Sequence, residues 1–192
     1  MMDSRTLARK FYTFKSCPLA VYKKYLHPNI LVFLEKVPKP YNEDYNLHWG
    51  FTSFKDNIIL DLGADWGSTA KFFLEKGARK IIAVEADKSR IRKLAYLYRK
   101  DDRVVPVYGF IKDSSQIDAL IEHYSPDLAK VDIEGWEKCL PQAHNISKVR
   151  EWLIEAHTPQ IYNMLYNFFK TLGYKVEVYD YLGGLKILYC RR

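Results

Sequence analysis

One short run carries the residue types best suited to ligand chemistry: Asp61-Leu62-Gly63-Ala64-Asp65-Trp66-Gly67. Its glycines let backbone come close to a bound molecule, and where such a run opens a helix the unpaired N–H groups add attraction. Asp61 offers a carboxylate to an ammonium group, directly or through water. Glu85 stands about 20 residues beyond the loop, where a carboxylate accepts the hydroxyls of a ribose. Taken alone, the loop also reads as an ordinary strand-to-helix turn and Glu85 as a strand-end surface charge. Together they read as a site for a nucleotide-type cofactor.

The spacing discriminates between cofactors. A dinucleotide loop needs G-x-G-x-x-G. Counted from Gly63, the second glycine place holds Asp65 and the third holds Ser68. This argues against NAD and for a zwitterionic cofactor without phosphates.

Such a loop must sit between a strand and a helix, and the flanking residues supply both. Residues 57–62 form an apolar run that stops at Gly63, as a buried strand does. Residues 68–76 read as a helix ended by Gly77. Strands are expected at 80–85, 104–108, 127–132 and 151–157. Helices are expected at 88–100, at 115–124 with Ser114 or Ser115 as N-cap, and from Pro159 to Gly173. A short helix or turn at 136–143 precedes the fifth strand. In the helix at 88–100, Ile91, Leu94, Ala95 and Tyr98 share one face and Arg92, Lys93 and Arg99 the other. The helix after Pro159 buries Ile161, Met164, Leu165, Phe168, Phe169 and Leu172. Strands at 175–181 and 185–190 flank Leu182-Gly183-Gly184 and read as a hairpin. Alternating strands and helices followed by a hairpin imply an α/β fold: a mostly parallel sheet with an antiparallel strand at its end.

Residues 1–56 are less regular. Leu7, Phe11 and Phe14 share a helical face, Pro38 and Pro40 interrupt, and residues 41–54 are rich in aromatics. This reads as a helical, aromatic extension packed on the core domain, 57–192, or over its cofactor.

Composition sets the outer bounds. The chain has 192 residues, 48% hydrophobic and 28% charged, enough for one domain with a sizeable core. Nothing approaches the apolar length of a membrane helix, so no membrane partner is expected. Charges recur through the first residues with no apolar segment after them, which argues against a signal peptide. Cys17, Cys139 and Cys190 are scattered, with no Cys-x-x-Cys pair, so neither a zinc site nor a disulfide framework is expected and a cytoplasmic home is. The net charge of +7 reads as a solvated basic surface, with an anionic partner such as nucleic acid as the sharper alternative. Oligomeric state has no signature in the chain.

The loop also resembles the first motif of class I S-adenosylmethionine-dependent methyltransferases. Lys130-Val131-Asp132-Ile133-Glu134-Gly135-Trp136-Glu137 is similar to the Lys-Ile-Asp-Val-Glu-Gly-Ala-Glu signature of FkbM-like methyltransferases, the more specific of the two matches. Leu153-Ile154-Glu155-Ala156-His157, then a helix and Gly173-Tyr174, resembles a later segment of that family. The chain departs from it at Asp65, often Asn, at Trp136, often small, and at Glu85-Ala86-Asp87, often Glu-Pro-Asn. Trp136 suggests a narrowed substrate pocket.

The resemblance implies a Rossmann-like fold with a seven-stranded, mostly parallel sheet, a C-terminal antiparallel hairpin and helices on both faces. The cofactor is then S-adenosylmethionine, with Asp61, Gly63, Ala64, Asp65, Trp66, Gly67, Glu85, Ala86, Phe110 and Asp132 as the contacting set. By the same resemblance Asp132 faces the methyl-bearing sulfonium, and Glu134 and His157 join it at the rim as catalytic candidates. An oxygen nucleophile must lose a proton, which a carboxylate or His157 can take. The plain readings are that Asp132 holds backbone or cofactor, Glu134 caps a turn and His157 is a satisfied core histidine. No metal ligand is assigned; a divalent ion on Asp132, Glu134 and His157 is the alternative. The implied function is O-methylation of a small-molecule or sugar-like acceptor. Methylation of RNA, or cofactor binding without catalysis, are the competing readings.

Overall fold

Ile58–Leu62 forms the first strand, β1, with its last four residues buried, as befits a central parallel strand covered on both faces. The computed structural model describes residues 44–181 and 184–192. A short helix, α1 (Tyr45–Trp49), precedes β1. Then follow α2 (Ser68–Glu75), β2 (Lys80–Glu85), α3 (Lys88–Leu97), β3 (Val104–Tyr108), α4 (Ser114–Tyr124) and β4 (Leu128–Val131). Two 3₁₀ turns, Trp136–Gln142 and Ile146–Lys148, lead to β5 (Glu151–Ala156), α5 (Pro159–Thr171), β6 (Lys175–Asp180) and β7 (Lys186–Arg191).

The seven strands lie in the order β3-β2-β1-β4-β5-β7-β6. The first five in that order run parallel, and β7 is antiparallel to both its neighbours. This is the expected Rossmann-like α/β fold, with one difference in the hairpin. The antiparallel strand is not at the end of the sheet: β7 inserts between β5 and β6, and β6 takes the edge. The reason lies in the side chains. Ile187, Leu188, Tyr189 and Cys190 of β7 are all buried, whereas β6 is half-buried along its middle and exposed at both ends. The more apolar strand takes the inner position.

Alternate residues feed two cores. Leu60, Leu62, Ile82, Val84, Ala129 and Val131 face Ile117 and Ile121 of α4 and Leu165 and Phe169 of α5. Ile59, Ile81, Ala83 and Leu128 face Phe72 and Phe73 of α2 and Ile91 and Leu94 of α3. The second core also takes in Trp49 and Phe54, so the aromatic stretch before β1 is part of the sheet's own packing. Leu7, Phe11, Phe14, Cys17, Pro38 and Pro40 lie outside the described residues.

Helix ends follow from local chemistry. The Thr158 hydroxyl accepts from Ile161 N (3.2 Å) and Pro159 occupies the first turn of α5. The N-cap of α4 is Asp113, not Ser114 or Ser115. Its carboxylate accepts from Ser115 N while Gln116 reaches back to the Asp113 N–H, a capping box. Helix α3 ends at Leu97, short of the expected Lys100, with Tyr98 as its C-cap.

Candidate functional site

Strand order reverses between β1 and β4, so the loops that leave their carboxyl ends diverge and open a crevice. A cavity of about 410 Å³ lies there, within the usual range for small-molecule sites. Gly63, Asp65, Glu85, Ala86, Phe110, Asp132 and Glu134 line it. These are seven of the sequence candidates, drawn from β1, β2, β3 and β4 ends. Asp61, Ala64, Trp66 and Gly67 do not line it, and His157 stands next to Asp132 rather than on the cavity wall.

The loop is held by its own backbone. Gly63 and Ala64 N–H groups both donate to Val84 O (3.0 Å each), and Gly67 N donates to Ala64 O (2.9 Å). Asp65 N donates to Glu85 Oε2 (3.0 Å), while Asp87 N donates to Glu85 Oε1 (2.7 Å). Each oxygen of Glu85 thus keeps a further lone pair for a ligand. Gly63 has φ +81°, and a Cβ there would lie 1.8 Å from the Asp132 carbonyl oxygen, so the β1 and β4 loops touch through the space a side chain would need. Asp65 also has positive φ, +48°, which Asp tolerates better than most residues. Burial raises the Asp65 pKa, against the opposing Trp66 N–H and Arg90, whose guanidinium lies 3.0 Å away. Trp66 turns outward: Lys93 Nζ of α3 sits 4.7 Å from its ring centroid.

Asp61 already has a cationic partner. Lys130 Nζ lies 3.3 Å from Asp61 Oδ1 and 3.5 Å from Asp132 Oδ2, and it donates to Gly63 O (2.7 Å). The Thr69 hydroxyl donates to Asp61 Oδ2 (2.6 Å). Burial works to lower the Lys130 pKa, but the Asp61 and Asp132 carboxylates outweigh it and hold the ammonium well above the usual lysine range. Asp61 therefore braces the loop through Lys130 and Thr69 and does not line the cavity as an open ammonium receptor.

Beside Asp132, one imidazole meets four carboxylates. His157 Nδ1 is 3.0 Å from Glu137 Oε1. Its Nε2 is 3.4 Å from Glu134 Oε2, 3.6 Å from Asp132 Oδ1 and 3.8 Å from Glu155 Oε1. The hydrogen bond with Glu137 is the main cause, with the other carboxylates adding, of a His157 pKa pushed up to about 9 against the cost of burial. An imidazole so placed is charged at neutral pH, which counts against it as a free base unless another cation takes the place of its proton. Glu134 reaches the rim through a left-handed turn, φ +54°, followed by Gly135 at φ +95°.

Several residues of this region carry no strong sequence signal. His48 and Tyr45 come from α1: His48 Nε2 is 2.8 Å from Glu155 Oε2, and the Tyr45 hydroxyl donates to Ser68 Oγ (2.9 Å). Lys130 was legible only as part of a motif, although a lysine inside a buried strand is itself a signal. Glu137 and Glu155 are buried acids whose partner, His157, is distant in sequence. Phe110 and Trp136 meet edge to face (5.4 Å) and both line the cavity.

No protein-family model matches the chain. Solved structures share its fold. One is a precorrin-6y C5,15-methyltransferase from Geobacter metallireducens GS-15, with TM-score 0.57, 16% identity, and coverage of 72% of this chain and 81% of that one. Another is fibrillarin from Aeropyrum pernix, solved with natively bound S-adenosyl-L-methionine, with TM-score 0.55, 18% identity, and coverage of 71% and 66%. A third is a proposed RNA methyltransferase from Pyrococcus horikoshii, with TM-score 0.57, 17% identity, and coverage of 91% and 96%. The chain thus has the Rossmann-like α/β fold of these methyltransferases. Among the described residues no helix is long and apolar enough to cross a membrane.

Proposed function

We propose that the chain is an S-adenosylmethionine-dependent methyltransferase of FkbM-like type, acting on an oxygen of a small-molecule or sugar-like acceptor. The observation that carries this reading is the wiring of the loop. Backbone N–H groups of Gly63, Ala64, Asp65 and Gly67 are spent inside the protein, so these four are not free to cradle a pyrophosphate. Glu85 nevertheless presents a carboxylate to the same cavity. That combination fits a nucleoside cofactor without phosphates. The neighbour that carries natively bound S-adenosyl-L-methionine has the same fold, which supports the choice.

S-adenosylmethionine, when bound, supplies an electrophilic methyl group on a sulfonium. In this proposal Glu85 holds the ribose, and Gly63 and Asp65 flank the cofactor. Asp132 and Glu134 orient the acceptor. The acceptor oxygen would be held in line with the methyl group that the bound cofactor would supply. The acceptor proton passes to a rim carboxylate or to water. Positioning two reactants in line does much of the work. The Phe110–Trp136 wall limits the acceptor's size. Cys139 and Cys190 are free and buried, in keeping with a reducing cytoplasm.

A second reading, an RNA acceptor, is favoured by the net charge of +7 and by the P. horikoshii neighbour. One experiment separates them: transfer of labelled methyl groups to fractionated cell extract, with and without nuclease. Label in small-molecule fractions, indifferent to nuclease, supports the first reading; nuclease-sensitive label supports the second. No transfer despite cofactor binding favours a binding protein.

A further inference from the structure

We infer that Asp132, Glu155 and His157 bind one divalent cation at the rim of the cavity. One ligand atom from each lies within 4.8 Å of the others. The distances from His157 Nε2 to Asp132 Oδ1 and Glu155 Oε1, 3.6 Å and 3.8 Å, exceed hydrogen-bond length. Neighbouring donors around a small divalent ion stand about 3 Å apart for bonds of about 2.1 Å, so the three side chains must draw together by about 1–2 Å to close the site.

The outer atoms of these side chains are already held. His157 Nδ1 is fixed by Glu137 Oε1 at 3.0 Å, which leaves the Nε2 lone pair for the ion when the Nδ1 hydrogen is donated. Glu155 Oε2 is fixed by His48 Nε2 at 2.8 Å, and Asp132 Oδ2 faces Lys130 Nζ at 3.5 Å. Each residue therefore turns one donor inward and anchors the other outward, the pattern by which a protein orients metal ligands.

Two buried acids bear on the charge balance of this region. Glu155 is 6% exposed, and its Oε1 lies 3.8 Å from His157 Nε2, beyond hydrogen-bond length. Glu137 is 0% exposed, and its Oε2 has no hydrogen-bond partner among the described residues. Buried carboxylates need compensating charge. Lys130, His157 and His48 are shared among Asp61, Asp132, Glu134, Glu137 and Glu155, so carboxylates outnumber the basic groups that face them. Two oxygens and one imidazole suit a cation such as Mn²⁺, and three protein ligands leave coordination positions open. A role in orienting an oxygen acceptor rests on the methyltransferase reading; the binding of the ion does not.

The test uses the full chain, stripped with a chelator and titrated with Mn²⁺ alone by calorimetry. One saturable site is expected, weakened at least about tenfold in Glu155→Gln and in His157→Gln and unchanged in the distant Glu177→Gln. S-adenosylhomocysteine binding, measured separately in chelator, reports on each variant's fold and on the cofactor reading, so the two ideas fail independently. Should the variants not fold, electron–nuclear double resonance of Mn²⁺ on the wild-type chain serves instead, with coupling to one directly bound imidazole nitrogen expected. No saturable binding by about 1 mM Mn²⁺, undiminished binding in folded variants, or no nitrogen coupling overturns the inference.

Discussion

Lys130 and Asp61 face each other as register partners across β4 and β1, with both side chains buried and their charges 3.3 Å apart. From that position the same ammonium donates to the Gly63 carbonyl, so the ion pair in the sheet is wired directly to the loop above it. Lys130→Met leaves Asp61 as an uncompensated buried charge. We expect a loss of about 3–5 kcal/mol in chemical denaturation. The double variant Lys130→Met/Asp61→Leu should recover part of that loss, because it removes both charges; a double variant as unstable as the sum of the singles contradicts this account.

Glu85 holds Asp65 N and Asp87 N and faces the cavity. Glu85→Ala should weaken S-adenosylhomocysteine binding by about 1.5–3 kcal/mol, the loss expected for hydrogen bonds to a charged group. Calorimetry on folded protein checks this. Unchanged affinity would remove Glu85 from the cofactor site.

Gly63→Ala forces a Cβ to within 1.8 Å of the Asp132 carbonyl oxygen at a backbone angle that suits glycine. The β1 and β4 loops must then separate. The expected result is loss of S-adenosylhomocysteine binding together with a lowered melting temperature. Gly135→Ala shares the positive φ but meets nothing within 4 Å, so it carries backbone strain alone and should keep cofactor binding.

On the edge strand, Lys175, Tyr179 and Arg191 surround Glu177 and bring its carboxyl down to about 2, with the Lys175 contact the largest cause. Its folded pKa is below the unfolded one, so its stabilising contribution is present above the ordinary carboxylate range and is lost as pH falls through about 2. Carbon-detected NMR titration of the side chain should show that midpoint, and Glu177→Gln should abolish this part of the acid dependence. A titration near 4.5 in the folded protein would mean that the edge-strand network does not form.

How much was legible in the sequence varies with the range of the interaction. The strand at 57–62, its glycine loop and Glu85 are local patterns, and all three meet at one cavity. The insertion of β7 beside β5 is not local: Trp152 opposes Cys190, and only the relative burial of two strands decides which lies inside. The same holds for His48 and Glu155, which join across most of the chain. Asp61 is instructive in the other direction. Its residue type suggested an ammonium partner, and it has one, but the ammonium belongs to Lys130 of the neighbouring strand. His157 likewise stands where the reading put it, beside Asp132 and Glu134, yet the acids around it change what its ring can do.

The most direct test of the cofactor site is a calorimetric titration of the purified chain with S-adenosylhomocysteine and, separately, with NAD. The account predicts one saturable site for S-adenosylhomocysteine, weakened in Glu85→Ala, and no saturable binding of NAD. Tight NAD binding with no affinity for S-adenosylhomocysteine would contradict it.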